Sequence, residues 1–230
     1  MKVKIGSRVN SIGYGAFTNC IALSSVTIDD GITGIGNYAF QNCTSITNII
    51  IPDTVTWIGQ YAFNNCSALS SVYFGKAIES FGLMAFDNSG VTTVNLPASV
   101  KSVGDKSFMN CKSLRTVVIP GNEAGTTMGT HTFDGCTSLV SVNLGGTVTT
   151  VGYAAFSGCT SLSNVTLADG ITGIGKHAFQ NCNSLSIIKI PTTVTYISDY
   201  AFSGTALGSI TVGSNITSLG MYAFANCDTL

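Results

Sequence analysis

A phenylalanine returns about every 23 residues along this chain, and that clock limits the fold more than any other feature. The dipeptide Ala-Phe or a near variant ends at Phe17, Phe40, Phe63, Phe86, Phe108, Phe133, Phe156, Phe179, Phe202 and Phe224. The spacings are 23, 23, 23, 22, 25, 23, 23, 23 and 22. A fixed period of about 20 to 50 residues marks a stacked-repeat architecture, because one unit cannot bury its own apolar side and each neighbour completes it. The expected fold is a repeat solenoid of about ten 23-residue units, mostly β, forming one domain over residues 1–230. With strands about 4.8 Å apart the rod would be roughly 50 Å long.

Each unit reads in the same order. Six residues after most of these phenylalanines comes an aliphatic residue, followed by alternation such as Leu69-Ser-Ser-Val72-Tyr-Phe74, which predicts a short strand with Val72 and Phe74 inward and Tyr73 outward. All four prolines, Pro52, Pro97, Pro120 and Pro191, follow that strand directly, where a missing N–H stops it. Val/Ile-x-x-Ile/Val-Gly comes next, its glycine recurring at Gly13, Gly36, Gly59, Gly82, Gly104, Gly129, Gly152, Gly175 and Gly220, with Ser198 the exception. That glycine predicts a tight turn in a conformation Gly tolerates best. The approach to Ala-Phe is too short for a helix and reads as one irregular or 3₁₀-like turn.

Departures from the period carry information. The segment 119–128 holds two residues more than its counterpart 51–58, which predicts a surface bulge on one face. The units after Phe86 and Phe202 lack Cys and are one residue shorter before the next strand. Residues Asp30 to Cys43 return almost unchanged as Asp169 to Cys182, a six-unit duplication without a linker between the copies. The chain opens inside a strand at Val3 to Ile5 and stops at Leu230 where the next should start, so it reads as a piece of a longer repeat protein.

Composition narrows the function. Only 9% of residues are charged and the net charge is -1, with no block of like charge, so neither nucleic acid nor anionic lipid has an electrostatic footprint to meet. No apolar run reaches the roughly 18 residues of a membrane span.

The eight cysteines, Cys20, Cys43, Cys66, Cys111, Cys136, Cys159, Cys182 and Cys227, each stand three residues after a repeat Phe, which predicts one structural role as a buried, reduced ladder. Paired C-x₂-C ligands for zinc do not occur. Bonds between rungs are allowed by the separation of stacked Cα atoms, about 5 Å, but parallel Cβ vectors suit them poorly. His131 and His177 are the chain's two imidazoles and share one column, two residues before Phe, whose other members include Tyr38, Tyr61 and Tyr200. Those types fit cover for the turn better than a nucleophile's base. No catalytic residue, metal ligand or cofactor site is expected. Sequons occur at Asn42, Asn65, Asn164 and Asn215, and in a chain this rich in Asn, Ser and Thr nothing follows from them.

The unit Leu-x-x-Ile-x-Ile-Pro-x-x-Val-x-x-Ile-Gly-x-x-Ala-Phe-x-x-Cys, matched from Ile46 through Cys66 with Ile46 in the leading place, resembles the BspA-like class of leucine-rich repeats, and the resemblance covers the whole chain. It implies a right-handed leucine-rich-repeat superhelix. It also implies a surface or secreted protein of the kind that adheres to host or matrix proteins. The family pattern contains no catalytic or ligand residue to carry over.

On that reading the chain is a non-enzymatic protein-binding or adhesion module; the alternative is a passive spacer or stalk carrying another domain. The candidate surface is the outward strand column Thr27, Ile50, Tyr73, Asn95, Val118, Asn143, Thr166, Lys189 and Thr211, of which Ile50, Tyr73, Asn95, Val118, Asn143 and Lys189 are the candidate partner-binding residues. Ile50, Tyr73 and Val118 are apolar where alternation predicts exposure. A partner contact and the preference of crowded sheets for β-branched side chains account for them equally. Trp57 and Tyr196, equivalent under the duplication, each follow by one unit a glycine in the same column, Gly34 and Gly173. Either ring lies across its glycine or meets a partner; both readings stand.

Overall fold

The computed structural model describes all 230 residues, and it contains strands and turns with no helix. Ten passes of the Phe column enclose about nine turns of a parallel β-solenoid. Most turns have a long strand, as in Ser25–Ile28 or Thr116–Ile119, and a two-residue short strand, as in Gly34–Ile35 or Ser102–Val103. All pairings are parallel and link consecutive turns, with equivalent residues opposite one another, as Val117 is to Val142 and Ile35 to Ile58.

One apolar cluster runs from Ile5 to Ala223. Its spine is the Phe column: Phe40 and Phe63 stack at 5.2 Å, Phe86 and Phe108 at 5.2 Å, Phe133 and Phe156 at 5.4 Å, nearly parallel in each case. Of the two phenylalanines outside the clock, Phe74 meets that spine edge-on, 5.6 Å from Phe86 at 79°, and Phe81 is tilted against it, 5.6 Å from Phe108 at 56°. Stacking at rung spacing is favourable because parallel rings about 5 Å apart are offset.

Beside the spine runs the Cys row. All eight thiols are free. Cys43, Cys66 and Cys182 donate S–H to the carbonyls of Phe17, Phe40 and Phe156, at 3.1, 3.1 and 3.2 Å, so each thiol spends its proton on the preceding turn. Burial pushes the Cys43, Cys66 and Cys182 thiols up, Cys43 to about 11 and Cys182 to about 12, so these three stay protonated. In the two shorter units Ser89 and Thr205 occupy the same place, with hydroxyls 3.4 and 3.2 Å from Cys111 Sγ and Cys227 Sγ.

The turn around Ala-Phe is the irregular kind and not 3₁₀. Its bonds, such as Ala39 N–H to Gly36 O, Gln41 N–H to Tyr38 O and Cys43 N–H to Phe40 O, fall on alternate residues. Tyr38 and Asn42 between them have φ of 60° and 58°, which a 3₁₀ helix does not allow. The outward-turned amides bond to the next turn instead, Tyr38 to Gln60 O, Phe40 to Ala62 O and Asn42 to Asn64 O, at 2.8, 2.8 and 2.9 Å.

The recurrent glycine is explained differently from the sequence expectation. Gly36, Gly59 and Gly82 do not have positive φ. A Cβ on Gly36 would stand 2.6 Å from Ile12 O, and one on Gly82 would stand 2.5 Å from Gln60 N. The glycine is there because two backbones nearly touch, not because the turn is left-handed.

The long-strand side is also less regular than alternation predicts. Its strands form sheets of two, two and four, ending at Asn164–Leu167. Segments 187–190 and 209–212 are not strands. Gly208 N–H to Ser186 O, at 3.4 Å, is the one backbone bond where their pairing should begin. Lys189 and Thr211 therefore lie on the expected column but not in a ladder. Pairing fails at four places, between Ser25–Ile28 and Asn48–Ile50, between Ser71–Tyr73 and Thr93–Asn95, between Asn164–Leu167 and 187–190, and between 187–190 and 209–212; only the second and the fourth fall where a unit is one residue short and the next strand is set back. Segment 121–125 forms the expected bulge, folded on Asn122, whose Oδ1 accepts from Ala124 N–H and whose Nδ2 donates to Ala98 O; Glu123 and Ala124 point to solvent.

Candidate partner-binding face

Alternation along the long strands sends every member of the outward column to solvent. Ile50 is 68% exposed, Tyr73 48% and Val118 36%, so the apolar departures are on the surface and not folded under it. Ile50 and Tyr73 are direct neighbours in the Asn48–Ile50 and Ser71–Tyr73 pair. Asn95, Val118 and Asn143 are neighbours in the next sheet, which brings two polar amides to either side of Val118. Lys189 lies further along, exposed and outside both groups. The structure thus assembles two clusters and leaves Lys189 separate.

Tyr73 is anchored at its tip. Its hydroxyl donates to Asp53 Oδ1 at 3.3 Å, the same oxygen that accepts Lys76 N–H at 3.0 Å, and Lys76 Nζ stands 3.6 Å from Asp53 Oδ2. The Lys76 backbone N–H, helped by its ammonium and the Tyr73 hydroxyl, holds the exposed Asp53 carboxyl below its usual value. A ring fixed at one end presents its face with little rotamer entropy left to lose. One surface residue escaped the sequence reading: Ile187, 72% exposed, stands in the outward column that is otherwise Ser, Asn or Thr, from Ser25 to Asn164. The signal was its departure from that row.

The two histidines sit on the turn side. His131 Nδ1 is 2.8 Å from Asp134 Oδ2, and His177 Nδ1 is buried without a partner. Between them Tyr153 meets both rings edge-on, at 5.0 and 5.6 Å, filling the gap that Ala154 leaves in the column. His177, Tyr200 and Tyr222 continue as a parallel stack. Neither imidazole bonds a hydroxyl or thiol, and the surroundings are those of a packed cover. Of the sequon asparagines, Asn42 and Asn65 have their amides bonded in a row described below, while Asn164 is exposed.

Comparison with known proteins gives a consistent picture. The model of the BspA type leucine rich repeat region matches residues 1–115 and 101–230, in six copies. A leucine-rich repeat protein from Bacteroides ovatus is 30% identical with a TM-score of 0.92, over 100% of this chain and 59% of that one. The chain thus spans about three fifths of that relative's length. The T. pallidum leucine rich repeat protein is 28% identical with a TM-score of 0.63, over 70% of this chain and 77% of that one. A leucine rich cell surface protein from Faecalibacterium prausnitzii is 27% identical with a TM-score of 0.52, over 100% of this chain and 77% of that one. No curated protein matches.

Proposed function

Because the chain belongs to the BspA-type leucine-rich repeat family, we propose that it is a non-enzymatic module of a surface or secreted protein that binds a protein partner through its long-strand face. The observation that carries this reading is the adjacent pair Ile50 and Tyr73, exposed on a face made mostly of Ser, Thr and Asn. An aromatic anchor beside an aliphatic residue, rimmed by small polar groups, is the composition of a binding hot spot. Tyr buries a large area at the cost of few rotors, and Tyr73 is already held by Asp53. The surface location is supported by the F. prausnitzii relative, described as a cell surface protein. With 9% charged residues, recognition rests on apolar burial and hydrogen bonding, so it should change little with salt.

The test is retention of a panel of extracellular-matrix proteins by wild type, Tyr73→Ala and Ile50→Ser, with Tyr153→Ala on the turn side as control. Loss of a hot-spot Tyr costs about 2 kcal/mol or more, roughly thirty-fold in affinity. Selective loss in the two strand-face variants supports the reading. Equal loss in the control, or no loss in any variant, sinks it and leaves the passive spacer.

A further inference from the structure

The short-strand side carries two aromatic rings laid over it, Trp57 in a six-stranded sheet and Tyr196 in the four-stranded sheet that follows it. A Cβ built on Gly34 would fall inside the Trp57 indole, 2.5 Å from Cζ2, and one on Gly173 would fall inside the Tyr196 ring. Each ring therefore covers a glycine of the preceding turn with one face. Trp57 is nevertheless 40% exposed and Tyr196 half-buried, because the opposite faces are open to solvent. The ring lies across its glycine, as one of the two sequence readings has it, and stays partly exposed while doing so. Unlike Tyr73, which bonds Asp53, neither ring's polar atom is tied to another group of the chain.

The surroundings define the ligand. Along the same column the rings are bracketed by hydroxyls, Ser11 beyond Gly34 and Ser80 after Trp57, then Thr150 beyond Gly173 and Ser218 after Tyr196. The adjacent row is threonine: Thr56 Oγ1 donates to Thr33 O at 3.1 Å and Thr195 Oγ1 to Thr172 O at 3.0 Å. With their protons so committed, these hydroxyls turn acceptor lone pairs outward. Between the two rings the row's charges, Lys101 and Glu79, cancel in a pair at 2.8 Å. An anionic ligand finds no net charge here. A pyranose ring fits: its axial C–H face carries partial positive charge to match the negative face of an aromatic ring, and its rim hydroxyls donate to threonine oxygens. Trp57 and Tyr196 are six turns apart in one column, about 29 Å at the spacing of parallel strands.

We propose that the short-strand side is a second binding surface, for a neutral glycan chain, with Trp57 and Tyr196 as its stacking platforms. This does not depend on the long-strand reading, since the residues and the ligand class differ.

Trp57 is the chain's single tryptophan, so its emission reports on this site alone. The probes are cellohexaose, xylohexaose and mannohexaose, with a soluble xylan and a glucomannan as the long chains. Saturable change of Trp57 emission is expected with at least one of them. By calorimetry Trp57→Ala should weaken that probe at least ten-fold. Gly34→Ala, which keeps the indole but lifts it off the sheet, should weaken it too, while Tyr73→Ala leaves it unchanged. Tyr196→Ala should weaken the long polymer more than its hexasaccharide, because only the polymer gains from engaging two platforms. The proposal fails if no glycan of the panel alters the emission, if binding is indifferent to Trp57→Ala, or if a polyproline peptide binds the rings and the glycans do not.

Discussion

Single side chains in this solenoid are read through their row. One residue past the Phe, Gln41 Nε2 donates to Asn64 Oδ1 at 3.1 Å, and Asn64 Nδ2 donates to Asp87 Oδ2 at 3.0 Å. The row meets a carboxyl there, and Asp87 Oδ1 is buried without a partner. Burial pushes the Asp87 carboxyl up, against the opposing pull of the Asn110 amide, the Lys106 charge and Asn64. A carboxyl raised by folding contributes stability that is complete below its unfolded value, about 3.9, and is lost as pH rises through the folded value. At neutral pH the ionised Asp87 is therefore a cost. Asp87→Asn, which continues the amide row with a neutral group, should raise stability at pH 7 by on the order of 1 kcal/mol. The gain should shrink towards zero as pH falls below about 3.9. Calorimetric melting of both proteins across that range checks it, and a gain that stays constant into acid would show that the charge is not its cause.

Within one turn, which parts were legible in the sequence depended on whether a residue type has one structural cause or two. The Phe and Cys rows could be read because a large apolar or thiol group at a fixed period has little to do but line a core. Glycine has two causes, a left-handed backbone and a close approach, and the letter is the same for both. One left-handed position was in fact spelled out elsewhere, two residues after Phe, where Asn19, Asn42, Asn65, Asn88 and Asn110 give way only to glycine at Gly135, Gly158 and Gly204; the other, two residues before Phe, holds Tyr38, Met84, Lys106, His131 and Ala154 and was not. Asparagine tolerates that conformation, and here its amides also bond in sequence, Asn65 to Asn42 at 3.0 Å and Asn88 to Asn65 at 2.8 Å. The two causes separate under mutation. Gly82→Ala would drive a Cβ to 2.5 Å from Gln60 N, and backbone cannot step aside, whereas Gly13 in the same row has open space around its Cβ position. Gly82→Ala should cost about 1 to 3 kcal/mol, the range for forced overpacking, and Gly13→Ala close to nothing. Equal melting temperatures for the two variants would return the row to a conformational origin.

Across the whole rod, the gaps in the long-strand ladder were not legible, since pairing between turns depends on where each strand sits against the next and not on its own alternation. The outward column was legible as exposed but not as two clusters, for the same reason. What joins all the turns is the Phe spine with its flanking amide bonds, and within the spine each Phe stacks only on the one before and the one after. Phe133, fully buried, stacks 5.4 Å from Phe108 and 5.4 Å from Phe156. Truncating a packed Phe typically costs about 3 to 5 kcal/mol. In a globular core that cost would be shared; in a row of nearest neighbours it stays local. Phe133 N–H bonds to Ala155 O and Phe108 N–H to Thr132 O, so Phe133→Ala should speed amide exchange from about Phe108 to Phe156, including the Asn122 bulge beside it. Amides around Phe63 and Phe40, three and four turns away, should exchange as in wild type. Hydrogen exchange read by mass spectrometry at peptide resolution distinguishes the cases: a rise confined to those turns is the signature of a nearest-neighbour rod, and a uniform rise along the chain would mean the turns unfold as one cooperative body.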